Sequence, residues 1–404
     1  MSGAEDNRAL RELAAGARAS GKLALDTEFM GEGRYRTLLC LIQLAIPDGP
    51  NGSEWIEVLD PLVQELDGAP LAAVLADPAI EVVVHAGRQD IALVRRRFDT
   101  DVSNVFDTQL AAGFAGLGAQ SSYESLLAEV LGVRVSKSAS FTRWNARPLS
   151  PEQRAYARED VVHLLELAAE LQRRLIALGR LQWAREECEP LERSSDERDP
   201  VAIFARLPRV RSLGASARGI ARELVQWREQ TAAGQDRPVQ SVLSDAALME
   251  IAKRRPSSRR ELEQIRGAGA QSMRRRAEEL LAAVQRGRQR PPEPASDEPR
   301  PPPPRPEDAP LIALAEALVR ARAREAGVAY ELLAARAELQ AIVASRRAGG
   351  DEPDLRTLRG WRRELVGEEL LELLDGRVSL SVRDREIRIL ASSEDEDSAD
   401  VAAI

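Results

Sequence analysis

The spacing of apolar positions divides the chain into a region that alternates strands with helices and a longer region that is helical. Short, almost uninterrupted apolar runs predict buried strands. These runs are Lys22 to Phe29, Thr37 to Ile46, Trp55 to Leu59, Glu81 to Val84 and Asn104 to Asp107. Helical spacing around 61–76 and 88–98 flanks the fourth run, and from about residue 108 it continues to the end of the region. The first 190 residues therefore predict a mixed α/β domain.

One long helix is expected from Pro151 to Leu178, where apolar residues recur at helical spacing. Ser150 supplies an N-cap and Pro151 occupies the first turn, an arrangement that favours a helix start. Residues 191–208 are polar and contain two prolines, so we expect them to form a linker.

Two small helical domains joined by a proline-rich linker are expected in the remainder of the chain. Helical spacing covers 209–287 and 311–376, and ten prolines fall within 288–310. A linker of this composition is extended and semi-rigid. Alternation of apolar and polar residues from Arg377 to Leu390 indicates a small hairpin, and the acidic tail from 391 to 404 is expected to be disordered.

An internal repeat relates the two helical domains. The segment AALMEIAKRRPSSRRELEQIRG resembles AELQAIVASRRAGGDEPDLRTLRG, which aligns Ile251 with Ile342 about 92 residues later. Two copies of one helical domain are the natural interpretation. Within the first copy, Ser258 and Glu261 form a capping-box pattern that opens a short helix.

Composition narrows the class of protein. A chain of 404 residues is too long for one core, so two or three domains are expected. No stretch approaches about 18 uncharged apolar residues, and the N-terminal segment is polar, so neither a membrane span nor a signal peptide is expected. Cys40 and Cys188 lie far apart without a CxxC pattern, which disfavours disulfides and zinc and favours the cytoplasm.

The net charge of -8 conceals a basic region. Residues 1–190 carry 20 Lys and Arg against 28 Asp and Glu, whereas residues 210–290 carry 17 against 9. A basic module attached to an acidic one favours a polyanionic partner. The candidate phosphate contacts are Lys253, Arg254, Arg255, Arg274 and Arg275. A solvated helix face is the alternative explanation for such a charge run.

Acidic residues inside apolar runs are the strongest chemical signal. Asp26 and Glu28 are two apart on a buried strand, so both project from one face, and such a pair is costly without a cation. A strand end open to solvent is the alternative. Asp90 falls in the first turn of a helix, and Tyr156 and Asp160 are one helical turn apart. If each is taken singly, helix capping explains Asp90, and a solvated helix face explains Tyr156 and Asp160.

Together the five residues resemble the ribonuclease D family within the DEDD superfamily of 3′–5′ exonucleases. The motifs that carry the resemblance are LALDTEF, VVHAGRQDIALV and the Y-x-x-x-D of YAREDVV. Ala155 excludes the H-x-x-x-x-D variant, which places the chain with the tyrosine subgroup. The two helical domains resemble the helicase-and-ribonuclease-D C-terminal (HRDC) domain.

This resemblance implies an RNase H-like α/β exonuclease domain, a mixed sheet flanked by helices, followed by two small all-α HRDC-type domains. The implied domains cover 1–190, 209–287 and 311–390. It also implies two-metal hydrolysis by two divalent ions, Mg²⁺ or Mn²⁺. The implied metal ligands are Asp26, Glu28, Asp90 and Asp160. Tyr156 would orient the nucleophilic water, because a phenol with a pKa near 10 is a poor base at neutral pH.

The function expected from the resemblance is an exoribonuclease that shortens RNA 3′ ends, including those of tRNA precursors, and releases nucleoside 5′-monophosphates. A cytoplasmic monomer with no membrane association and no obligate protein partner is expected. A 3′–5′ DNA exonuclease and a non-catalytic RNA-binding protein with this fold remain alternatives. The absence of GxxxxGK[ST] from the sequence excludes a helicase.

Six further residues are candidates for substrate contact: Phe29, Gln43, His85, Lys137, Arg143 and Trp144. Phe29 would stack on a terminal base, or would simply pack. Gln43 would contact the terminal nucleotide, or lie at a sheet edge. His85 would contact the substrate, or would simply be a hydrogen-bonded histidine of the core, which is the plainer explanation. The last three would grip single-stranded backbone, or form a solvated loop anchored by one tryptophan.

Overall fold

The computed structural model describes residues 3–47, 54–63, 66–135, 143–265, 275–291 and 305–391. The N-terminal region contains a five-stranded sheet with helices on both faces. Its strands are β1 (Lys22–Met30), β2 (Leu38–Ile46), β3 (Trp55–Leu59), β4 (Glu81–Val84) and β5 (Val105–Asp107). Its helices are α1 (Gly3–Ser20), α2 (Ala69–Leu75), α3 (Arg88–Phe98), α4 (Thr108–Phe114), α5 (Tyr123–Leu126), α6 (Pro151–Glu159), α7 (Leu164–Ala177) and α8 (Leu181–Glu192).

Strand β1 lies at the centre of a mixed sheet. The strand order is β3-β2-β1-β4-β5, with β1 antiparallel to β2 and parallel to β4. Leu23 and Leu25 of β1 pack with α1, α2 and α3, whereas Ala24 packs with α7 on the opposite face. The predicted strands and the mixed α/β class are therefore confirmed, and alternate residues of β1 reach different layers of the fold.

The single helix predicted from Pro151 to Leu178 is wrong, because the chain forms two helices. Helix α6 ends at Glu159, Asp160 is its C-cap, and α7 begins at Leu164. The Tyr123 hydroxyl accepts a hydrogen bond of 3.3 Å from the backbone N–H of His163 within the break. Val161 and Leu164 are both buried across the break, so apolar spacing alone does not reveal it.

The linker predicted at 191–208 is also partly wrong. Residues Pro200–Arg206 form helix α9, and the Asp199 carboxylate caps its N-terminus. Leu207 and Val210 then enter the core of the first helical region. The helix spans only seven residues, which is too short for hydrophobic periodicity to identify reliably.

The first helical region has a core of its own. After α9 it contains α10 (Ala215–Gln235), α11 (Val239–Val242), α12 (Asp245–Arg254), α13 (Arg259–Glu263) and α14 (Ala277–Gln289). Ser258 caps α13 as predicted, but the Glu261 carboxylate accepts from the backbone N–H of Ser257 and not from that of Ser258. Helices α10 and α14 pack closely, because Gly219 and Gly287 bring their backbones together.

The second helical region repeats the first in the order of its elements. It contains α15 (Ala309–Ala326), α16 (Tyr330–Leu333), α17 (Arg336–Arg347), α18 (Gly360–Arg362) and α19 (Glu368–Leu374). Ile251 of α12 and Ile342 of α17 are both fully buried at corresponding places. The predicted hairpin follows as β6 (Val378–Arg383) and β7 (Glu386–Ala391). The predicted tail after 391 lies outside the described residues.

The two helical regions contact the α/β region in different ways. The apolar core of the second region is continuous with that of the sheet, and Trp361 stacks on Trp183 at 5.1 Å. The first region keeps a separate core, against which Tyr35 packs, and also makes polar contacts, for example from the Tyr35 hydroxyl to the Glu229 carboxylate at 3.1 Å. Among the described helices, none has the length and apolarity needed to cross a bilayer.

Replacement of Gly287 by Ala should destabilise the first helical region. A Cβ at this position would lie 2.4 Å from Cα of Ile220, a backbone atom that cannot move aside alone. We expect a loss of about 1–3 kcal/mol, measured by urea or thermal unfolding. Gly234→Ala is the matched control, because nothing lies within 4 Å of its Cβ position in α10, and it should gain up to about 1 kcal/mol. Equal stability of the two variants would contradict the close helix contact.

Candidate functional site

The acids predicted in the first motif lie on the central strand of the sheet. Asp26 and Glu28 project from the same face of β1 as Ala24, towards the layer that contains α6 and α7. The register with β2 shifts between Glu28 and Phe29, just after the second acid. A strand irregularity at this point re-aims the neighbouring side chains, as is common beside functional sites.

Asp90 reaches the same end of β1 from the opposite layer. It lies in the first turn of α3, is only 7% exposed, and accepts a hydrogen bond from the Thr27 hydroxyl. Gly87 allows the tight turn into this helix, because a Cβ there would lie 2.4 Å from Cβ of Val84. Sequence reasoning missed Thr27, although its place between the two acids of LALDTEF was a usable signal.

Asp107 supports the turn that carries Asp90. Its carboxylate accepts from the backbone N–H groups of Ala86 at 3.1 Å and Gly87 at 2.9 Å, and it also caps α4. The side chain is 2% exposed, so these N–H donors replace its hydration. Sequence reasoning missed this role, although an acid directly before a predicted helix indicates an N-cap.

Tyr156 and Asp160 are brought to the site by the start of α6. Ser150 and Gln153 form a complete capping box there. The preceding segment is held by Arg147, whose guanidinium donates two hydrogen bonds of 2.6 Å to the Asp60 carboxylate. This partly buried ion pair ties the segment to the end of β3, and sequence reasoning missed it because its partners are 87 residues apart.

Burial and repulsion raise the pKa values of the four acids. Burial raises the pKa of Asp26 well above its ordinary value, and the other three carboxylates raise it further. Burial, followed by repulsion from Asp160 and Asp90, raises the pKa of Glu28 to about 8. Burial is also the main cause that raises the pKa of Asp160 to about 7 and that of Asp90 to about 6. Each of these groups therefore holds its proton more tightly than a free carboxylic acid does, and ionising all four together costs free energy.

A hard divalent cation fits the chemistry of this donor set. The four carboxylates supply oxygen ligands, and no Lys or Arg among the described residues forms an ion pair with them. As they lie, no three Asp, Glu, His or Cys side chains in the described part of the chain are close enough together to hold a metal ion. Binding would therefore require the carboxylates to move closer together, which a cation would favour by removing their repulsion.

Tyr156 lies beside these acids with its phenol protonated. Burial, followed by the Asp160 and Glu28 carboxylates, raises the pKa of Tyr156 to about 12. Its ring is 5.8 Å from that of Trp144, centre to centre. At neutral pH the hydroxyl can donate a hydrogen bond but cannot serve as a base.

Gln43 adds a polar side chain to the face of the sheet that carries Asp26 and Glu28. It pairs with Asp26 across β1 and β2 and is fully buried. The sheet-edge alternative is wrong, because β2 lies between β3 and β1. Neither amide atom of Gln43 has a hydrogen-bond partner among the described residues. An unsatisfied buried amide costs about 1–3 kcal/mol, so it indicates a group that the site takes up.

The other predicted contacts divide into exposed and buried residues. Phe29 is 39% exposed beside Glu28, and Arg143 is exposed before α6. His85 accepts or donates a hydrogen bond at 3.0 Å with the Thr108 hydroxyl, which agrees with the plainer interpretation. Trp144 is 4% exposed and packs beside Tyr156, which agrees with the alternative of one anchoring tryptophan. Lys137 lies outside the described residues.

The basic cluster of the first helical region is exposed. Lys253 and Arg255 line a cleft of about 440 Å³ with the N-terminus of α10. Arg254 differs from them, because it forms an ion pair of 2.6 Å with Glu250. Arg275 is exposed, whereas Arg274 lies outside the described residues.

Comparison with protein families identifies two matching segments. Residues 1–176 match the family model described as a 3′–5′ exonuclease. Residues 217–284 match the HRDC domain. The first segment includes all five residues of the proposed active site, and the second includes Lys253, Arg254 and Arg255.

Similarity to individual proteins extends over nearly the whole chain. Ribonuclease D of Granulibacter bethesdensis is 37% identical over 92% of this chain and 91% of its own length. Ribonuclease D of Acidiphilium cryptum is 34% identical over 96% of both chains. The crystal structure of Escherichia coli RNase D, described as an exoribonuclease involved in structured RNA processing, superposes with a TM-score of 0.75. It is 29% identical and covers 92% of this chain and 97% of its own.

Replacement of Asp26 by Asn should stabilise the metal-free protein at pH 8 and much less at pH 5. Acids whose pKa is raised on folding add stability when protonated, and that stability is lost as pH rises through about 6 to 8. The substitution removes one repelling charge, so the melting temperature in EDTA should rise by roughly 2–4 °C per kcal/mol relieved.

The control is Glu189→Gln, an exposed acid in α8. Added Mg²⁺ should raise the melting temperature of the wild type but not that of Asp26→Asn, because only bound metal stabilises the fold. If Asp26→Asn changed the melting temperature equally at pH 5 and pH 8, or if Mg²⁺ raised the melting temperatures of the variant and the wild type equally, Asp26 would not be a metal ligand.

Proposed function

Because this chain belongs to the ribonuclease D family of 3′–5′ exonucleases, we propose that it is a metal-dependent exoribonuclease acting on RNA 3′ ends. The observation that carries the proposal is the approach of Asp90 and Asp160 to Asp26 and Glu28 at the end of β1, which raises the pKa values of Asp26 and Glu28 beyond the effect of burial. Such repulsion is tolerated where charge neutralisation is part of the activity. The product of each step would be a nucleoside 5′-monophosphate.

The four carboxylates would hold two divalent ions, Mg²⁺ or Mn²⁺. When bound, such ions supply Lewis-acid stabilisation to the attacking and leaving oxygens of the phosphodiester. The chain contributes the positions of the ligands: Thr27 donates to the Asp90 carboxylate, and Asp107 fixes the turn before it. These contacts hold the carboxylate oriented towards β1 before any ion binds.

Tyr156 would orient the attacking water. Its phenol stays protonated at neutral pH, since its pKa is raised to about 12, so it can donate a hydrogen bond to the water or to a phosphate oxygen. Trp144 and Ala157 pack around its position in one small cluster. A positioned donor of this kind lowers the barrier by restricting the approach of the reactants.

Phe29 and Gln43 would bind the terminal nucleotide. Phe29 is exposed next to Glu28, where its ring can stack on a base. The unsatisfied amide of Gln43 lies opposite Asp26 and can hydrogen-bond to a nucleotide or to a bound water. Lys137 and Arg143 are proposed to hold the strand that leads to this end.

RNA, and tRNA precursors in particular, are the proposed substrates. The basic surface of Lys253 and Arg255 would contact phosphates without reading sequence. Arg254, Arg274 and Arg275 are proposed to extend this surface. A cytoplasmic monomer is proposed as the working form. DNA 3′ ends are the competing substrate class, because the same carboxylates serve either backbone.

Asp160→Asn should abolish nucleotide release while RNA binding persists, and Tyr156→Phe should lower kcat by roughly 10- to 100-fold. The first variant removes a proposed metal ligand, whereas the second removes only a positioned donor. The measurement uses end-labelled RNA and DNA with free or blocked 3′ ends, in Mg²⁺, Mn²⁺ or EDTA. Stepwise shortening of free RNA 3′ ends is the expected wild-type result.

Tyr330→Phe is the matched control for the tyrosine variant. Its hydroxyl, in the second helical region, has no hydrogen-bond partner among the described residues, so its loss should leave kcat unaltered. Normal release by Asp160→Asn, or activity on DNA alone, would overturn the proposed function. RNA binding without metal-dependent cleavage by the wild type would favour a binding protein instead.

Reversal of charge at Lys253 and Arg255 should weaken RNA binding. The binding constant falls as salt concentration rises, and the loss of two phosphate contacts on a single strand should make the slope of its logarithm against the logarithm of salt concentration shallower by about 1.4. Binding is measured with the inactive Asp160→Asn background at several salt concentrations. The control is the double reversal of Arg383 and Arg385 in the β6–β7 hairpin, which alters net charge equally and includes one residue at positive φ, like Arg255. Equal effects of both pairs would exclude a specific surface.

A further inference from the structure

The connection from β1 to β2, residues 31–37, borders a cleft that the proposed active site does not include. The cleft has a volume of about 510 Å³, which is in the range of ligand sites. Its lining residues are Arg34, Tyr35, Arg36, Thr37, Leu38, Arg96, Ala233 and Asp236. One wall therefore comes from the α/β region and the other from the end of α10.

Three guanidinium groups face one carboxylate in this cleft. Asp236 already accepts hydrogen bonds from Arg34 at 2.6 Å and from the backbone N–H of Tyr35 at 3.1 Å. Arg96 forms an ion pair with Asp196 and donates to the carbonyl of Thr37 at 2.5 Å. These two arginines are therefore engaged in holding the walls together.

Arg36 remains available for a ligand. It is exposed, and it has neither an ion pair nor a side-chain hydrogen bond with any other described residue. Glu32, in the same connection, is exposed but does not line the cleft. The cleft thus presents an unpaired cation in a chain whose net charge is -8, which favours an anionic ligand.

The cleft lies close to the proposed active site along the chain. Glu28 and Phe29 flank the register shift of β1, and Arg36 follows Phe29 by seven residues. Seven residues span at most about 25 Å when fully extended, and this connection is folded into turns. A strand whose 3′ end is at Phe29 can therefore reach Arg36 within a few nucleotides.

We propose that this cleft binds phosphodiester groups of the RNA strand upstream of the scissile bond, with Arg36 as the main contact. The inference rests on the proposed exoribonuclease function and adds a binding site to it. The planar guanidinium donates paired hydrogen bonds that match phosphate oxygens. Because Asp236 belongs to the first helical region, the cleft is complete only while that region is docked.

Docking itself depends on polar contacts around Tyr35. Its hydroxyl donates to Glu229, which also accepts from Arg198 at 2.7 Å, and Arg198 lies over the Tyr35 ring. Glu229 is 3% exposed, so this contact is largely protected from solvent. The connection 31–37 therefore joins the helical region that carries Lys253 and Arg255 to the strand that carries Asp26 and Glu28.

Arg36→Glu tests the proposal through a comparison of substrate lengths. Steady-state kinetics are measured on a dinucleotide and on an unstructured RNA of about 20 nucleotides. The ratio of kcat/KM for the longer RNA to kcat/KM for the dinucleotide should fall roughly three- to tenfold, mainly because KM for the longer RNA rises. The slope of the logarithm of the binding constant against the logarithm of salt concentration should become shallower by about 0.7, because one phosphate contact is lost. Arg36→Lys should retain most of the ratio.

Arg383→Glu is the matched control, an exposed arginine of the distant hairpin whose loss should leave the ratio unaltered. An Arg36→Glu ratio equal to that of the wild type, or an equal fall for Arg383→Glu, would overturn the proposal. If the wild type hydrolyses neither substrate, the proposed function fails. In that case the affinities of Arg36→Glu and the wild type for the longer RNA are compared directly. Weaker binding by Arg36→Glu would still support an RNA site in the cleft, and equal binding would exclude it.

Discussion

Repulsion among four carboxylates at the end of β1 is the constraint on which the rest of the structure depends. Burial raises the pKa of all four, and repulsion from the other site carboxylates adds to this for Asp26 and Glu28, so the ionised site has an electrostatic cost that a cation would reduce. The surrounding elements hold the acids in place against this repulsion. Thr27 and Asp107 restrain the Asp90 side, and the Arg147–Asp60 pair restrains the segment that leads to α6.

The repeated helical regions show how one order of elements is used in two ways. The second region shares the apolar core of the sheet, where Trp361 stacks on Trp183, so it packs as a continuation of the α/β region. The first keeps a separate core and docks through Tyr35, Arg34 and their acidic partners. Ionic contacts weaken with salt, whereas buried apolar area does not. The more exposed of these ion pairs, such as that of Arg34 with Asp236, are therefore the contacts that salt would weaken.

Much of the site was predictable because its residues stand in short motifs. Asp26 and Glu28 needed only the two-residue period of a strand, and Tyr156 and Asp160 only the four-residue spacing of a helix. The break after Asp160 was not predictable, since Val161 and Leu164 continue the apolar spacing across it. The burial of Trp144 was not predictable either, because an aromatic residue in a polar segment does not reveal that it packs beside Tyr156.

The sequence by itself determined the strands, most of the helices, the repeat and the five residues of the proposed active site, because local periodicity and motif spacing encode them. Tertiary structure alone decided what depends on distant pairs. It placed Gln43 unsatisfied opposite Asp26, joined Arg147 to Asp60, and set Arg36 in a cleft completed by Asp236. Such contacts join residues tens to hundreds of positions apart, and no local pattern records which of them will meet.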